Sequence, residues 1–185
     1  MNGCWITCSG SRTHAIDATS VILCCAALSF ALARKPAMTR PSKSTTDNVE
    51  RADAYFEHGA DIGVIGRGPT LEAAFEAVAA ATFAIQTDLA KVRPLITVQV
   101  QFEESDVELA LVRWINTLLS LARCAGVALG KFWLRRDGNF WIGGARGERW
   151  NAGHERGTEV KGATLTALSV CRVGSLWEAR CVVDV

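Results

Sequence analysis

Two stretches of the chain repeat apolar residues at the spacing of an amphipathic helix. The first begins after Thr70, a favourable N-cap residue, and runs to about Gln86. Its apolar face consists of Leu71, Phe75, Val78 and Ile85. The second begins with a capping-box pattern, SDVE at 105–108, and ends at Ala125-Gly126. Its apolar face consists of Val107, Leu111, Trp114, Leu118 and Leu121. The pattern therefore predicts two helices that each turn one face to a core.

Most of the remaining segments are short and β-branched or alternating, which is typical of strands. Residues 54–57 and 62–65 flank a turn at 58–61, and residues 94–102 follow the first helix. Beyond Val127 only strands are predicted, at 131–135, 139–142, 158–163, 165–173 and 177–183. Asp137-Gly138 favours a hairpin, and residues 143–157 are interpreted as a glycine-rich loop. These elements predict an α+β fold, a two-layer sandwich of a mostly antiparallel mixed β-sheet with two main helices on one face.

Residues 1–50 differ in composition from the rest, so we predict a poorly ordered N-terminal extension, 1–50, and a folded domain, 51–185. The apolar run at 21–33 is too short for a membrane-spanning helix, and residues 34–50 are polar. Three explanations stay open. The start is assigned too early and Met38 is the first residue; the segment is a targeting signal with Ala31-Leu32-Ala33 as a cleavage-like triplet; or it is a functional tail.

Composition narrows the function classes. The chain has 185 residues, 49% of them hydrophobic, and a formal net charge of +1. It can therefore bury a core, but it has no broad positive charge that favours nucleic acid. Seven cysteines without a CxxC pair are typical of reduced thiols in a cytoplasmic protein. The sequence contains neither a GxxxxGK loop nor an evident nucleophile–base arrangement.

Two aspartates lie in apolar segments, where burying a carboxylate costs free energy unless a cation pairs with it. Asp61 lies in the first turn, and Asp184 ends an apolar, strand-like run beside the carboxylate of Val185. If these two parts of the chain meet, three oxygen donors converge. Hard divalent cations prefer such donors, and the candidates are Ca²⁺, Mn²⁺ and Mg²⁺. The ordinary alternatives are an aspartate that caps a turn and a solvated strand end.

Two residues near these acids are further candidates. His58 stands three positions before Asp61 and can orient an acid or bind metal, although a structural hydrogen bond is the commoner role. Lys161 alternates with Glu159 on a predicted strand. It is either half of an exposed ion pair or a contact to phosphate or a partner beside the metal.

Aromatic and basic residues concentrate between 133 and 150. They are Trp133, Trp141, Trp150, Arg135, Arg136, Arg146 and Arg149. Such residues suit a protein interface or the stacking of single-stranded RNA. The alternative is core tryptophans covered by arginine stems. His154, in the predicted glycine-rich loop, is expected to face solvent.

Five short blocks follow one another in a fixed order along residues 54–185. They are HGADIG at 58–63, TLE at 70–72 with TD at 87–88, WINTLL at 114–119, TEVKGAT at 158–164, and an ending from WEA at 177–179 to VDV at 183–185. In these blocks the chain resembles the archease family, the accessory proteins of RtcB-type RNA ligases. Each block is weak alone, but the five in order are specific.

The resemblance implies a non-catalytic, cytoplasmic protein that promotes guanylylation of an RtcB-type RNA ligase and its return to the active state, in tRNA splicing or RNA repair. It implies a divalent metal ion, Ca²⁺ or else Mn²⁺ or Mg²⁺, held by Asp61, Asp184 and Val185. His58 and Lys161 would contact the partner or a nucleotide. It also implies an indirect contact with guanine nucleotide or RNA, and it implies no association with a membrane.

The chain departs from the family pattern in three places. Leu165-Thr166 replaces a Tyr-His pair, so no histidine role transfers there. Gly59 replaces a threonine and is expected to loosen the turn, and Val185 replaces an isoleucine but keeps its main-chain oxygens as donors. Two other function classes stay open. One is a metal-dependent phosphoesterase or nuclease that uses Asp61 and Asp184. The other is a chaperone-like binding module whose action does not depend on Asp61.

Overall fold

The computed structural model of the protein describes residues 54–185, and the predicted extension, 1–50, lies outside the described residues. The described part contains two α-helices, eight β-strands and a short 3-10 helix, Leu89–Lys91. The strands form two sheets, and the helices pack against them. The predicted α+β sandwich is therefore confirmed.

The two helices lie close to their predicted positions. Helix α1 spans Leu71–Ala84, and the Oγ1 atom of Thr70 caps it by accepting a hydrogen bond from the backbone N–H of Ala73 at 3.1 Å. Helix α2 spans Val107–Ala125. Gly126 ends α2 in the left-handed region, with φ 63°, which glycine adopts without a Cβ penalty.

The first sheet, sheet A, contains both ends of the described chain. Its strands are β1 (Tyr55–His58), β2 (Asp61–Gly68), β6 (Gly162–Ala163), β7 (Ser169–Val173) and β8 (Leu176–Asp184). Strand β8 is central, since it pairs with β2 along one edge and with β6 and β7 along the other. The last strand in the sequence is thus the one on which the sheet is assembled.

The second sheet, sheet B, has the order β3-β5-β4. Its strands are β3 (Ile96–Glu103), β4 (Val127–Asp137) and β5 (Phe140–Arg149). All strand pairs of both sheets, within residues 54–185, are antiparallel. The β4–β5 hairpin turns at Gly138, whose φ of 59° suits the predicted Asp-Gly turn.

The core lies between the helices and the inner faces of both sheets. The ring of Phe75 in α1 stacks on Trp141 of β5 at a centroid distance of 5.3 Å, and Trp141 stacks in turn on Phe102 of β3. Trp114, Leu111 and Leu118 of α2 are fully buried. Burying a large apolar side chain of this kind stabilises the fold by roughly 1.5–3 kcal/mol. The aromatic stack and the buried face of α2 therefore hold the helices against the sheets. Trp141 is therefore a core residue, as the alternative interpretation of the tryptophans had it.

The glycine-rich loop predicted at 143–157 is wrong for its first half. Residues 143–149 belong to β5, in which Gly143, Gly144 and Gly147 lie against neighbouring backbone. A Cβ at Gly143 would lie 2.6 Å from the carbonyl oxygen of Trp133, and one at Gly144 would clash with that of Val98. Close strand approach, not a turn, is what selects glycine here.

Two predicted strands after this segment are shorter than expected. Residues 158–161 form no strand, and residues 165–168 lie in an irregular segment before β7. Lys161 and Glu159 therefore do not alternate along a strand face. The β-forming composition of these residues was overridden, since β8 pairs with them as a strand at Gly162 and Ala163 and makes single backbone hydrogen bonds to Lys161, Thr164 and Thr166.

The capping residue of α2 also differs from the prediction. Asp106, not Ser105, is the N-cap, because its Oδ1 atom accepts hydrogen bonds from the backbone N–H groups of Glu108 at 2.8 Å and Leu109 at 3.2 Å. The carboxylate of Glu104 accepts from the backbone N–H groups of Ser105 and Asp106. The helix thus begins one residue later than the capping-box pattern indicated.

Replacing Asp106 by alanine leaves two N–H groups of α2 without this acceptor. We expect Asp106→Ala to lower the free energy of unfolding by about 1 kcal/mol, measured by urea denaturation. The matched control Ser105→Ala should stay within about 0.5 kcal/mol of the wild type. A larger loss in Ser105→Ala than in Asp106→Ala would contradict this assignment of the cap.

Candidate metal site

The two candidate acids lie at the same end of sheet A. Strands β2 and β8 pair in register from Gly68–Trp177 to Ile62–Val183. Asp61 and Asp184 are the next residues along the two strands. Because opposed residues share a sheet face, both carboxylates project from the face opposite to Val183, which is fully buried in the core. The structure thus brings together the turn and the tail that the sequence analysis placed at one site.

The turn that precedes Asp61 is a two-residue hairpin. His58 pairs with Asp61 across it, and Gly59 has a φ of 61°. Glycine adopts this left-handed conformation without strain, whereas threonine would not. The expected loosening by Gly59 is therefore offset by a turn geometry that favours glycine. His58 is exposed, and its imidazole makes no hydrogen bond within residues 54–185.

Lys161 joins this end of the sheet from the other side of β8. Its Nζ atom donates to the main-chain oxygen of Val185 at 2.8 Å and lies 3.8 Å from Oδ1 of Asp184. Its backbone N–H donates to the carbonyl oxygen of Asp184 at 2.8 Å. The two side chains are 62% and 50% exposed, so the ion pair contributes at most about 1 kcal/mol. Its effect is to position the tail.

Two residues of α2 that the sequence analysis did not single out hold Lys161 and β6 in place. The side-chain amide of Asn116 donates to the carbonyl oxygen of Ala163 at 3.0 Å and accepts from its N–H at 2.7 Å. Arg123 donates to the carbonyl oxygen of Lys161 at 3.0 Å. An asparagine inside the otherwise apolar run of WINTLL was the available signal, since an amide there needs polar partners.

The donor set fits an oxygen-preferring divalent cation in kind. Two carboxylates and the main-chain oxygen of Val185 are hard donors, and this set of three contains neither sulfur nor imidazole. Within residues 54–185, no group of three or more His, Cys, Asp or Glu side chains is arranged to hold a metal ion. A cation at this site would therefore need the main-chain oxygen or ligands from outside the chain.

The departure at Leu165-Thr166 leaves no titratable group at that position. The side chain of Leu165 is exposed, and the carbonyl oxygen of Thr166 accepts a hydrogen bond from the N–H of Val182 at 3.2 Å. The segment is thus hydrogen-bonded along the edge of β8, between β6 and β7. Neither side chain can replace a histidine as an acid or base near neutral pH.

A second polar cluster lies on sheet B, and it corrects the expectation for His154. This histidine is buried, not solvent-facing, and its Nε2 atom lies 3.2 Å from Oε1 of Glu148. Its Nδ1 atom accepts the N–H of Asn151 at 3.2 Å, so Nε2 carries the proton that bonds Glu148. Arg93 binds the other oxygen of Glu148 through two N–H groups, at 2.6 and 2.9 Å. These hydrogen bonds hold the pKa of Glu148 at about 2, below its ordinary 4.5.

The comparisons with known proteins agree on one family. The model of the Archease protein family matches residues 54–185. The protein archease of Sulfolobus acidocaldarius is 37% identical over 71% of this chain and 96% of its own length, and that of Pyrococcus furiosus is 34% identical with the same coverage. The solution structure of protein 1598 of Methanobacterium thermoautotrophicum has a TM-score of 0.64 and 30% identity, over 71% of this chain and 96% of that one.

This chain therefore belongs to the archease family. The match begins at the first described residue, so the predicted extension has no part in it. In the described part of the chain, no helix is long and apolar enough to cross a membrane.

The pairing of buried Glu148 with exposed Arg93 predicts a dependence of stability on pH. Because the folded-state pKa of Glu148 lies below its ordinary value, the pair stabilises the fold fully above about pH 4.5. This contribution is lost as the pH falls toward about 2. The gap in urea midpoint between wild type and Glu148→Gln should therefore be constant from pH 7 to 5 and narrow below pH 4.5. The exposed control Glu103→Gln should show no such change. A gap that stays constant down to pH 3 would count against the pairing.

Proposed function

We propose that this chain is a non-catalytic accessory protein of an RtcB-type RNA ligase. It would act in the cytoplasm and promote guanylylation of the ligase and repeated turnover in tRNA splicing or RNA repair. Membership of the archease family supports the proposal. The observation that supports it most is the register of β2 and β8, which sets Asp61 beside Asp184 at one exposed end of sheet A, where Lys161 bonds Val185.

In this proposal Asp61, Asp184 and the main-chain oxygen of Val185 hold a divalent cation, Ca²⁺ or else Mn²⁺ or Mg²⁺. A cation bound there supplies positive charge and open coordination positions for a phosphate oxygen or an acidic side chain of the partner. Lys161 keeps Val185 beside Asp184, since it bonds the tail through both its ammonium group and its backbone N–H. His58 and Lys161 stand at the rim, where a nucleotide or the ligase would contact them.

The exposure of this end favours a partner over an enclosed reaction. Asp184 and Lys161 have half or more of their side-chain surface open to solvent, and an enzyme that excludes water from its reacting groups would cover them. Two carboxylates are also few for a phosphoesterase with two metal ions. The ligase itself would supply the nucleophile. Hydrolysis of RNA or phosphate esters by the purified protein, without a ligase, would instead identify a metal-dependent enzyme.

Removing either carboxylate should abolish the effect on the ligase while leaving the fold intact. We expect Asp61→Asn and Asp184→Asn each to reduce stimulation of ligase guanylylation roughly tenfold or more, because each loses an anionic ligand. The same variants should lose binding of Mn²⁺ or Ca²⁺ in isothermal titration calorimetry. Asp137→Asn, in the β4–β5 hairpin, is the matched control and should behave as wild type. Full stimulation by either site variant would refute the proposed role of the carboxylates.

A tag after Val185 should be more harmful than a tag before Met1. Residues added after Val185 crowd the main-chain oxygen that accepts the hydrogen bond from Lys161, so we expect weaker metal binding and ligase stimulation. The comparison is made at equal protein concentration in the guanylylation assay. Equal activity of the two tagged forms would reduce Val185 to a packing role.

A further inference from the structure

Sheet B has a solvent face that the proposed function does not use. Side chains alternate along its strands, so Val100, Leu134, Trp141 and Ala145 enter the core while their neighbours point outward. The outward residues form three cross-strand rows, which we define as the outer face of sheet B. From β4 through β5 to β3 the rows are Arg135–Ile142–Gln101, Trp133–Gly144–Gln99 and Lys131–Arg146–Thr97.

The middle row presents an aromatic ring on a flat floor. A Cβ at Gly144 would lie 3.2 Å from the Cζ2 and Nε1 atoms of Trp133, so the indole extends across the strand above this glycine. The ring is half-buried, and within the described chain it has no stacking or cation–π partner. A ring that rests on a sheet with one side open offers a platform on which a planar base can stack.

Three cations surround this platform without internal partners. Lys131, Arg135 and Arg146 are exposed, and none of them has an ion pair or a side-chain hydrogen bond within residues 54–185. The carboxylate of Glu148, the next outward residue of β5, is already bound by Arg93 and His154. It therefore leaves the positive charge of the three rows largely uncompensated.

The ends of the outer face limit the length of a ligand. Beyond Ile142, the row Asp137–Phe140–Glu103 carries two carboxylates that repel phosphate, although Phe140 is 58% exposed. At the other end, Ala128 and Glu148 are buried, which closes the face. Between these limits the third strand adds uncharged hydrogen-bonding side chains, namely Thr97, Gln99 and Gln101.

We propose that the outer face of sheet B binds single-stranded RNA, independently of any ligase. A base stacks on Trp133, while Lys131, Arg135 and Arg146 bind the phosphates on either side of it. The amides and hydroxyl of β3 meet base edges and ribose 2′-hydroxyl groups, which distinguish RNA from DNA. A duplex keeps its bases stacked inside and cannot use the platform. Free cations around an open ring fit a polyanion of planar bases, since each phosphate that flanks a stacked base can meet a cation.

The test is fluorescence anisotropy of a 12-nucleotide, 5′-labelled RNA with the full chain and no ligase. We expect saturable binding that Trp133→Ala weakens roughly 5- to 100-fold, from the typical effect of losing one stacking contact. The logarithm of the binding constant falls linearly with the logarithm of the salt concentration. Changing Lys131, Arg135 and Arg146 together to alanine should make this slope less negative by about 2. A hairpin RNA without single-stranded ends and a DNA oligonucleotide of the same sequence should bind more weakly.

Matched controls lie on sheet A. Trp177→Ala removes a half-buried tryptophan of β8, and Arg180→Ala removes an exposed arginine of the same strand. Both should bind RNA as the wild type does. Thermal unfolding followed by circular dichroism checks that all variants fold, and Trp133→Phe, which keeps a ring, should retain most of the affinity.

Three results would overturn the proposal. The first is that the wild type shows no saturable binding of RNA. The second is that the platform variants, namely Trp133→Ala and the triple alanine variant, bind RNA as the wild type does. The third is that the wild type binds the DNA oligonucleotide with the same affinity as the RNA. If the platform variants instead lose ligase stimulation with no change in RNA binding, the face is a protein-docking surface and the proposal is wrong. Asp184→Asn separates the two functions, since it should keep RNA binding while losing ligase stimulation.

Discussion

The antiparallel pairing between β2 and β8 is the constraint on which the rest of the molecule depends. A strand's side chains alternate between faces, so a slip of one residue would turn Val183 outward and Asp184 into the core. The register is fixed because Val183 and Cys181 are fully buried under the helices. Burial in this apolar setting also raises the pKa of the Cys181 thiol to about 12, so the thiol stays neutral.

Near Asp184, the other edge of β8 has little strand pairing but well-placed polar groups, since β7 pairs further along, from Arg180 to Leu176. Strand β6 contributes only two pairs, Gly162–Asp184 and Ala163–Val183. Asn116 of α2 compensates by bonding both the N–H and the carbonyl oxygen of Ala163. The exposed end is therefore held at one side by the β2–β8 pairing, whose register is fixed by buried side chains. At the other side it is held by the side-chain amide of Asn116. Its geometry comes from backbone pairing, and the exposed ion pair adds little energy.

Much of this architecture could be predicted from the sequence. Helical periodicity located α1 and α2, and the Asp-Gly pair located the β4–β5 turn, because these signals are local. The cost of burying a carboxylate indicated that Asp61 and Asp184 need a compensating cation. Only the register of strands that are distant in sequence could place the two acids at neighbouring positions. The role of the two acids as metal ligands stays a prediction.

The failures have a common physical cause, which is that partners far away in the sequence decide the outcome. Glycines at 143–147 suggested a loop, yet they lie in β5 because adjacent backbones approach too closely for a Cβ. Residues 158–161 favour a strand by composition, yet Thr158 bonds Ile85 at the end of α1 and Lys161 makes one backbone hydrogen bond to β8. His154 was expected in solvent, but Glu148 and the backbone of Asn151 satisfy both of its nitrogens in the interior.

The central place of β8 has a consequence for how the chain is made. A ribosome delivers β1 and β2 first and β8 last, so the edge of β2 waits unpaired through most of synthesis. An open edge of this kind invites pairing with other nascent chains. Sheet B and both helices can assemble meanwhile, whereas sheet A closes only once β8 has been made. Truncated products of this gene should therefore be a source of aggregates, even though they retain most of the hydrophobic interior.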